Sequence, residues 1–184
     1  MTKFSQKRRE KKIKERCSAL AGVLQKIRPL YSRASEEQKH FLETMIGAGI
    51  WYIPAPQGAW TGYISIESIK LFQNSGAKPT VSYEHVIPRK IAARELLKKP
   101  ITEDVLRRHF INKYCKVHYV TPRENKVLMR FQRKPEFDAS LSSYQKAGIR
   151  LVKVTNDELK KIKNGEVSTI KKLLKSFSAD ITKP

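Results

Sequence analysis

Two short runs, TVSYEHVI (80–87) and CKVHYVT (115–121), concentrate β-branched and aromatic residues in rough alternation, the pattern of strands. A proline follows each of them, Pro88 and Pro122, and nearly everything around them has helical composition. Strands this brief and this far apart predict an α+β fold, with a small strand-and-helix core set among helices. The segment between the strands reads as two helices. RKIAARELLKK is stopped by Pro100; EDVLRRHFI has Thr102 as its N-cap and an acidic first turn that suits the positive end of the helix dipole. After the second strand, PRENKVLMRFQRK starts a further helix with Pro122 in its first turn, where proline's missing donor costs nothing.

Upstream, Ile13, Cys17, Leu20, Leu24 and Ile27 recur at spacings of four and three, which predicts one helical stripe from about Gln6 to Ile27, ended by Pro29. Ser35 and the two glutamates after it open the next helix, expected to run to about Met45 and to stop at Gly47 and Gly49. WYIPAPQGAWTGYI (51–64) reads as turns and a short strand. Its Trp51, Tyr52, Trp60 and Tyr63 either stack on bases or pack in the core. Residues 66–73 read as a short helix. In the tail, SYQKAGIRLVKV (143–154) reads as a turn into a strand. Two amphipathic helices divided by Gly165 follow. The chain therefore divides into a basic helical region (1–50), a strand-and-helix core (51–135) and a basic C-terminal region of short helices (136–184).

The charge constrains partners more than fold. Of 184 residues, 38 are Lys or Arg against 17 Asp or Glu, a net charge of +21 that calls for a polyanion to neutralise it. Residues 1–33 hold eleven of the cations against Glu10 and Glu15. The first turns, KRREKKIKER, have little to bury, so Lys7, Arg8, Arg9, Lys11 and Lys12 are either a solvated helix start or direct phosphate contacts. No apolar run approaches the ~18 residues of a membrane span, and the N-terminus lacks the apolar core of a signal peptide. A soluble, intracellular (cytoplasmic) protein with no membrane partner is expected. Cys17 and Cys115 are too few and too far apart for a disulfide framework or a paired-cysteine zinc site.

The stretch Glu84-His85-Val86-Ile87-Pro88, followed by a second strand and the helix PRENK, resembles the HNH or ββα-metal endonuclease superfamily. The resemblance covers about residues 80–132 and implies a ββα-metal-like hairpin-plus-helix core flanked by helical N- and C-terminal extensions. It implies that Glu84 is a metal ligand and His85 the general base, with Asn125, or Glu124 beside it, as the other ligand and Asn112 as the residue orienting the base. The interval from Asn112 to Asn125 is longer than is usual in that family, the linker after His85 is long and helical, and the flanking cysteine pairs of many members are missing. One carboxylate and one amide suit a hard ion such as Mg²⁺, or Mn²⁺, which takes further oxygens from a phosphate. Adjacent residues on a strand point to opposite faces, an objection to Glu84 and His85 sharing a site unless Pro88 bends the strand.

Arg89, Lys90, Arg94, Arg123, Arg130 and Arg133 surround this segment as candidate phosphate contacts, Arg123 foremost. His118 is a further ligand or a packed residue. The resulting expectation is a metal-dependent endonuclease acting on double-stranded DNA, of a restriction, phage or mobile-element kind. Homodimerisation would follow if its target is palindromic. Two other readings stay open: a nucleic-acid-binding protein without catalysis, such as an RNA or ribosome partner, and an RNA-cleaving toxin.

Overall fold

The computed structural model describes residues 3–53, 59–74, 80–132 and 140–179. The chain gathers into two compact units, each built from two segments: residues 1–59 with 85–116, and 60–84 with 117–184. This grouping cuts across the sequential three-part division expected above. The architecture is α+β, with helices predominating over one four-stranded sheet.

The first unit is helical. Helix α1 spans Lys3–Arg33 and α2 spans Glu36–Trp51. Helices α4 (Arg89–Lys98) and α5 (Glu103–His109) lead into a π-helical turn, Phe110–Tyr114. Its core gathers Ile13, Cys17, Leu20 and Leu24 of α1 with Ile46 and Ile50 of α2, Leu96 and Leu97 of α4, and Leu106 of α5. The expected α1 stripe is thus the buried one.

Two expected helix ends are corrected. Pro29 lies inside α1, near its last turn; Pro29 and Gln25, whose carbonyl loses its bond, both sit on the exposed side, so the lost bond faces solvent. Gly47 and Gly49 lie inside α2 as well. A Cβ on Gly47 would stand 3.4 Å from the Arg89 carbonyl oxygen, and one on Gly49 would stand 3.3 Å from Leu20 Cδ1. These glycines bring neighbouring helices close and do not end the helix. The start of α2 is as expected: the Ser35 hydroxyl accepts from Gln38 N–H at 3.3 Å, and the Gln38 side chain accepts from Ser35 N–H at 2.9 Å.

The second unit holds the sheet, with strands β1 (Trp60–Ser65), β2 (Ser82–His85), β3 (Val117–Val120) and β4 (Leu151–Lys153) in the order β2-β3-β1-β4. Strand β1 runs parallel to β3 and antiparallel to β4. Its register against β3 shifts between Trp60 and Ile64, around Gly62 at φ +90°, a backbone angle open to glycine. On one face of the sheet, Ile64, Val117, Tyr119 and Val152 pack against α3 (Ile66–Asn74), α8 (Asn156–Lys163) and α9 (Val167–Ala179). On the other, Val120 packs with Leu128 of α6 (Pro122–Phe131), Tyr144 of α7 (Leu141–Lys146) and Ile149. The β2-β3 neighbours followed by α6 are the expected strand–strand–helix, here extended by β1 and β4. Thr121 caps α6 through a capping box with Glu124, Pro122 stands in the first turn, and Gly165 at φ +71° separates α8 from α9.

Candidate functional site

Alternation along β2 and β3 decides which side chains meet. Glu84 is buried, and its Oε1 accepts a hydrogen bond from Gln132 Nε2 at the C-terminal end of α6. Asn125 lies half-buried seven residues earlier on α6, two turns and ~10.5 Å along the axis. Gln132 meets Glu84 where Asn125 was expected to. Among the described residues, no group of three or more His, Cys, Asp or Glu side chains could hold a metal ion.

His85 has other surroundings. Its imidazole lies against the Trp51 ring, 5.3 Å between centroids at 55°, and the Arg89 guanidinium sits over the same indole at 4.7 Å. Burial, with Arg89's charge, lowers its pKa to about 4, so the ring is neutral near neutrality. Asn112 is exposed on the π-helical turn.

His118 was weighed only as an extra ligand or a packed residue; it proves to be the centre of a buried polar cluster. Its Nδ1 is 2.5 Å from Thr61 Oγ1, and its ring meets Tyr63 and Tyr144 edge-on at 5.4 and 5.2 Å. The Thr61 hydroxyl also donates to the Val117 carbonyl at 3.1 Å, so its one proton is used there. Nδ1–H of His118 is then the donor to Thr61, and Nε2 carries the lone pair. Burial lowers the His118 pKa to about 4, in accord with a neutral ring. Tyr144 packs its ring on this histidine, and burial, then the charge of Glu84, pushes its phenol upward. No local signal in the sequence marks the contact of His118 with Thr61, which depends on the shift in register of β1 against β3 around Gly62.

A second buried group stabilises the start of α6. Glu124 Oε2 accepts from Ser65 Oγ at 2.6 Å and from Thr121 N–H at 2.8 Å, and with its proton so used Ser65 Oγ accepts from the Ser68 hydroxyl at 2.9 Å. Its carboxylate is committed to the cap and to the end of β1.

No protein-family model, curated protein or solved structure matches this chain. Its function has to be argued from its own surfaces.

The predicted phosphate contacts separate into three kinds. Lys7, Arg8, Lys11 and Lys12 are exposed on α1, with Arg9 half-buried, and Arg123 and Arg130 are exposed on α6. Arg94 is tied to the buried Glu43 by two bonds of 2.8 and 3.0 Å. Burial raises the Glu43 carboxyl, but the bonds from Arg94 and Tyr31 outweigh it and the net pKa is lowered. Lys90 Nζ donates to His40 Nδ1 at 2.6 Å. Arg133 lies outside the described residues. Of the aromatics, Trp60 stacks on Tyr119 at 5.5 Å and Tyr63 packs on His118, while Trp51 and Tyr52 are exposed. No described helix is long and apolar enough to cross a membrane.

Proposed function

We propose that this chain binds nucleic acid, with the first turns of α1 as a principal contact. The observation that carries the reading is that residues 6–12 of α1 bury no side chain, and among the described residues the buried stripe begins at Ile13. These turns hold Lys7, Arg8, Lys11 and Lys12 exposed, with Glu10 as the one acid among residues 6–12. A helix segment that buries no apolar face gains little from tertiary packing, and its like charges repel. Phosphates would relieve that repulsion by releasing counterions. The exposed Trp51, with Arg89 over its ring, adds a surface on which an unpaired base could stack.

Phosphodiester hydrolysis is the second reading, favoured by the order β2-β3-α6 and by the buried, neutral His118 beside Tyr144. In this reading His118 Nε2, in place of His85, is the group free to accept a proton. Restriction-like, RNA-partner and toxin roles all fall under one of these two readings.

One experiment addresses both. Binding of the full chain to labelled duplex DNA, single-stranded DNA and RNA is measured by anisotropy over a salt series, and cleavage is followed with Mg²⁺, with Mn²⁺ and with chelator. The expected result is salt-sensitive binding. Replacing Lys7, Arg8, Lys11 and Lys12 by Gln should lower the slope of log affinity against log salt by up to roughly 3.6, at about 0.9 per lost duplex contact. An unchanged slope overturns the α1 assignment. Metal-dependent cutting lost in His118→Gln but kept in His85→Ala would establish the second reading; no cutting of any substrate under any condition removes it.

A further inference from the structure

Helix α2 is apolar on two opposite sides. Ile46, Gly47 and Ile50 face the core. Phe41, Met45, Ala48 and Tyr52 follow at spacings of four, three and four, which at 100° per residue lines them up on the far side. That side is open: Phe41 is 64% exposed, Met45 41% and Tyr52 71%. Single exposed apolar residues need no explanation, but four in one helical line make a seam of the kind helices use to pair.

Chemistry chooses the occupant. The seam carries no cation, in a chain with 38 Lys and Arg, so a phosphate backbone has nothing to engage along it. Its two ends differ in sign. Glu37 is exposed at the N-terminal end, beside the exposed Glu36, which pairs with Lys39 at 2.8 Å. At the C-terminal end, Arg16 Nη1 donates to the Tyr52 carbonyl and the exposed Arg89 stands over Trp51. A surface acidic at one end and basic at the other complements itself when a second copy is laid against it head to tail.

We propose that Phe41, Met45, Ala48 and Tyr52 form a docking seam for a second copy of this chain, whose own α2 lies antiparallel across a two-fold axis. Met45 and Ala48 then sit nearest the axis, Phe41 faces Tyr52 of the other copy, and each pair of glutamates faces the other copy's arginines. Two four-residue stripes fall below the ~1,200 Å² at the low end of stable interfaces, so association is weak and concentration-dependent. The proposal does not depend on nucleic-acid binding.

The full chain, freed of nucleic acid at high salt, is followed by sedimentation equilibrium at micromolar concentrations. Self-association is expected, weakened at least about tenfold in Met45→Glu. Independently, Ala48→Cys should crosslink to dimers with a short thiol reagent, whereas Phe41→Cys should not, since the native Cys17 and Cys115 are buried. These cysteine variants decide the matter even if the glutamate disturbs folding. A monomer at every concentration, a dimer indifferent to Met45→Glu, or equal crosslinking at positions 41 and 48 would overturn the proposal. So would a persistently monomeric protein in which Met45→Glu instead weakens nucleic-acid binding, for the seam would then be part of that surface.

Discussion

The two units keep their polar and apolar residues in opposite places. The sheet unit buries polar chemistry: Glu84, His118, Thr121, Glu124, Ser65 and Ser68 all lie inside it. Among the described residues the helical unit buries one such charged group, Glu43, and its surface carries a run of cations on α1 and an apolar line on α2. Polar groups survive inside a fold only when each is hydrogen-bonded, so the sheet unit's polar residues are tied to its stability. Those on the helical unit's surface are free to serve partners.

The largest test of this contrast is Glu124→Ala. It deletes the side-chain half of a capping box and leaves the Thr121 N–H without its acceptor inside the fold, for an expected loss of the order of 3 kcal/mol. Denaturant melts would show it, and a loss near zero would mean that the buried network is not structural.

Next comes pH. His118 titrates at about 4 in the fold against an ordinary 6.5, so the unfolded chain takes up the proton first as pH falls. Its contribution is complete above 6.5 and is lost toward about 4, on the order of 3 kcal/mol in all. His85 shifts in the same direction and to the same value, so His118→Gln should flatten that acid limb only in part. A limb unaltered in the variant would mean that the imidazole is already hydrated and protonated in the fold.

The smallest effect is expected in the helical unit. Phe41→Ala, on the exposed side of α2, should move the melting free energy of the monomer by less than about 0.5 kcal/mol. A larger loss would show that the α2 seam packs against its own chain.

The parts of this fold legible in the sequence were those with local causes. Thr102, Thr121 and Pro122 announce helix starts because capping is settled within four residues. Gly165 marks a break because its backbone angle is positive there. Gly47 and Gly49 misled because the same residue type serves a tight turn and a close helix contact, and only the partner helix distinguishes them. Pro29 misled because the missing bond falls on an exposed side near the helix end. At the site, alternation correctly raised the objection to pairing Glu84 with His85. That His118 would find Thr61 depends on a register shift around Gly62 that no local pattern spells out, and that Gln132 would reach Glu84 is a contact between residues 48 positions apart.

The chain passes between its units three times, near residues 59, 84 and 116, and this orders its birth. The helical unit has all its residues once Lys116 has been synthesised, whereas the sheet unit waits with β1 and β2 unpartnered until β3 and then β4, at Lys153, arrive. Emergence from the ribosome thus favours helices first and sheet last. Cutting the gene after residue 59 would keep every residue of the sheet unit in one piece but split the helical unit, so isolating the helical unit calls for a graft that replaces the intervening segment 60–84, not a truncation.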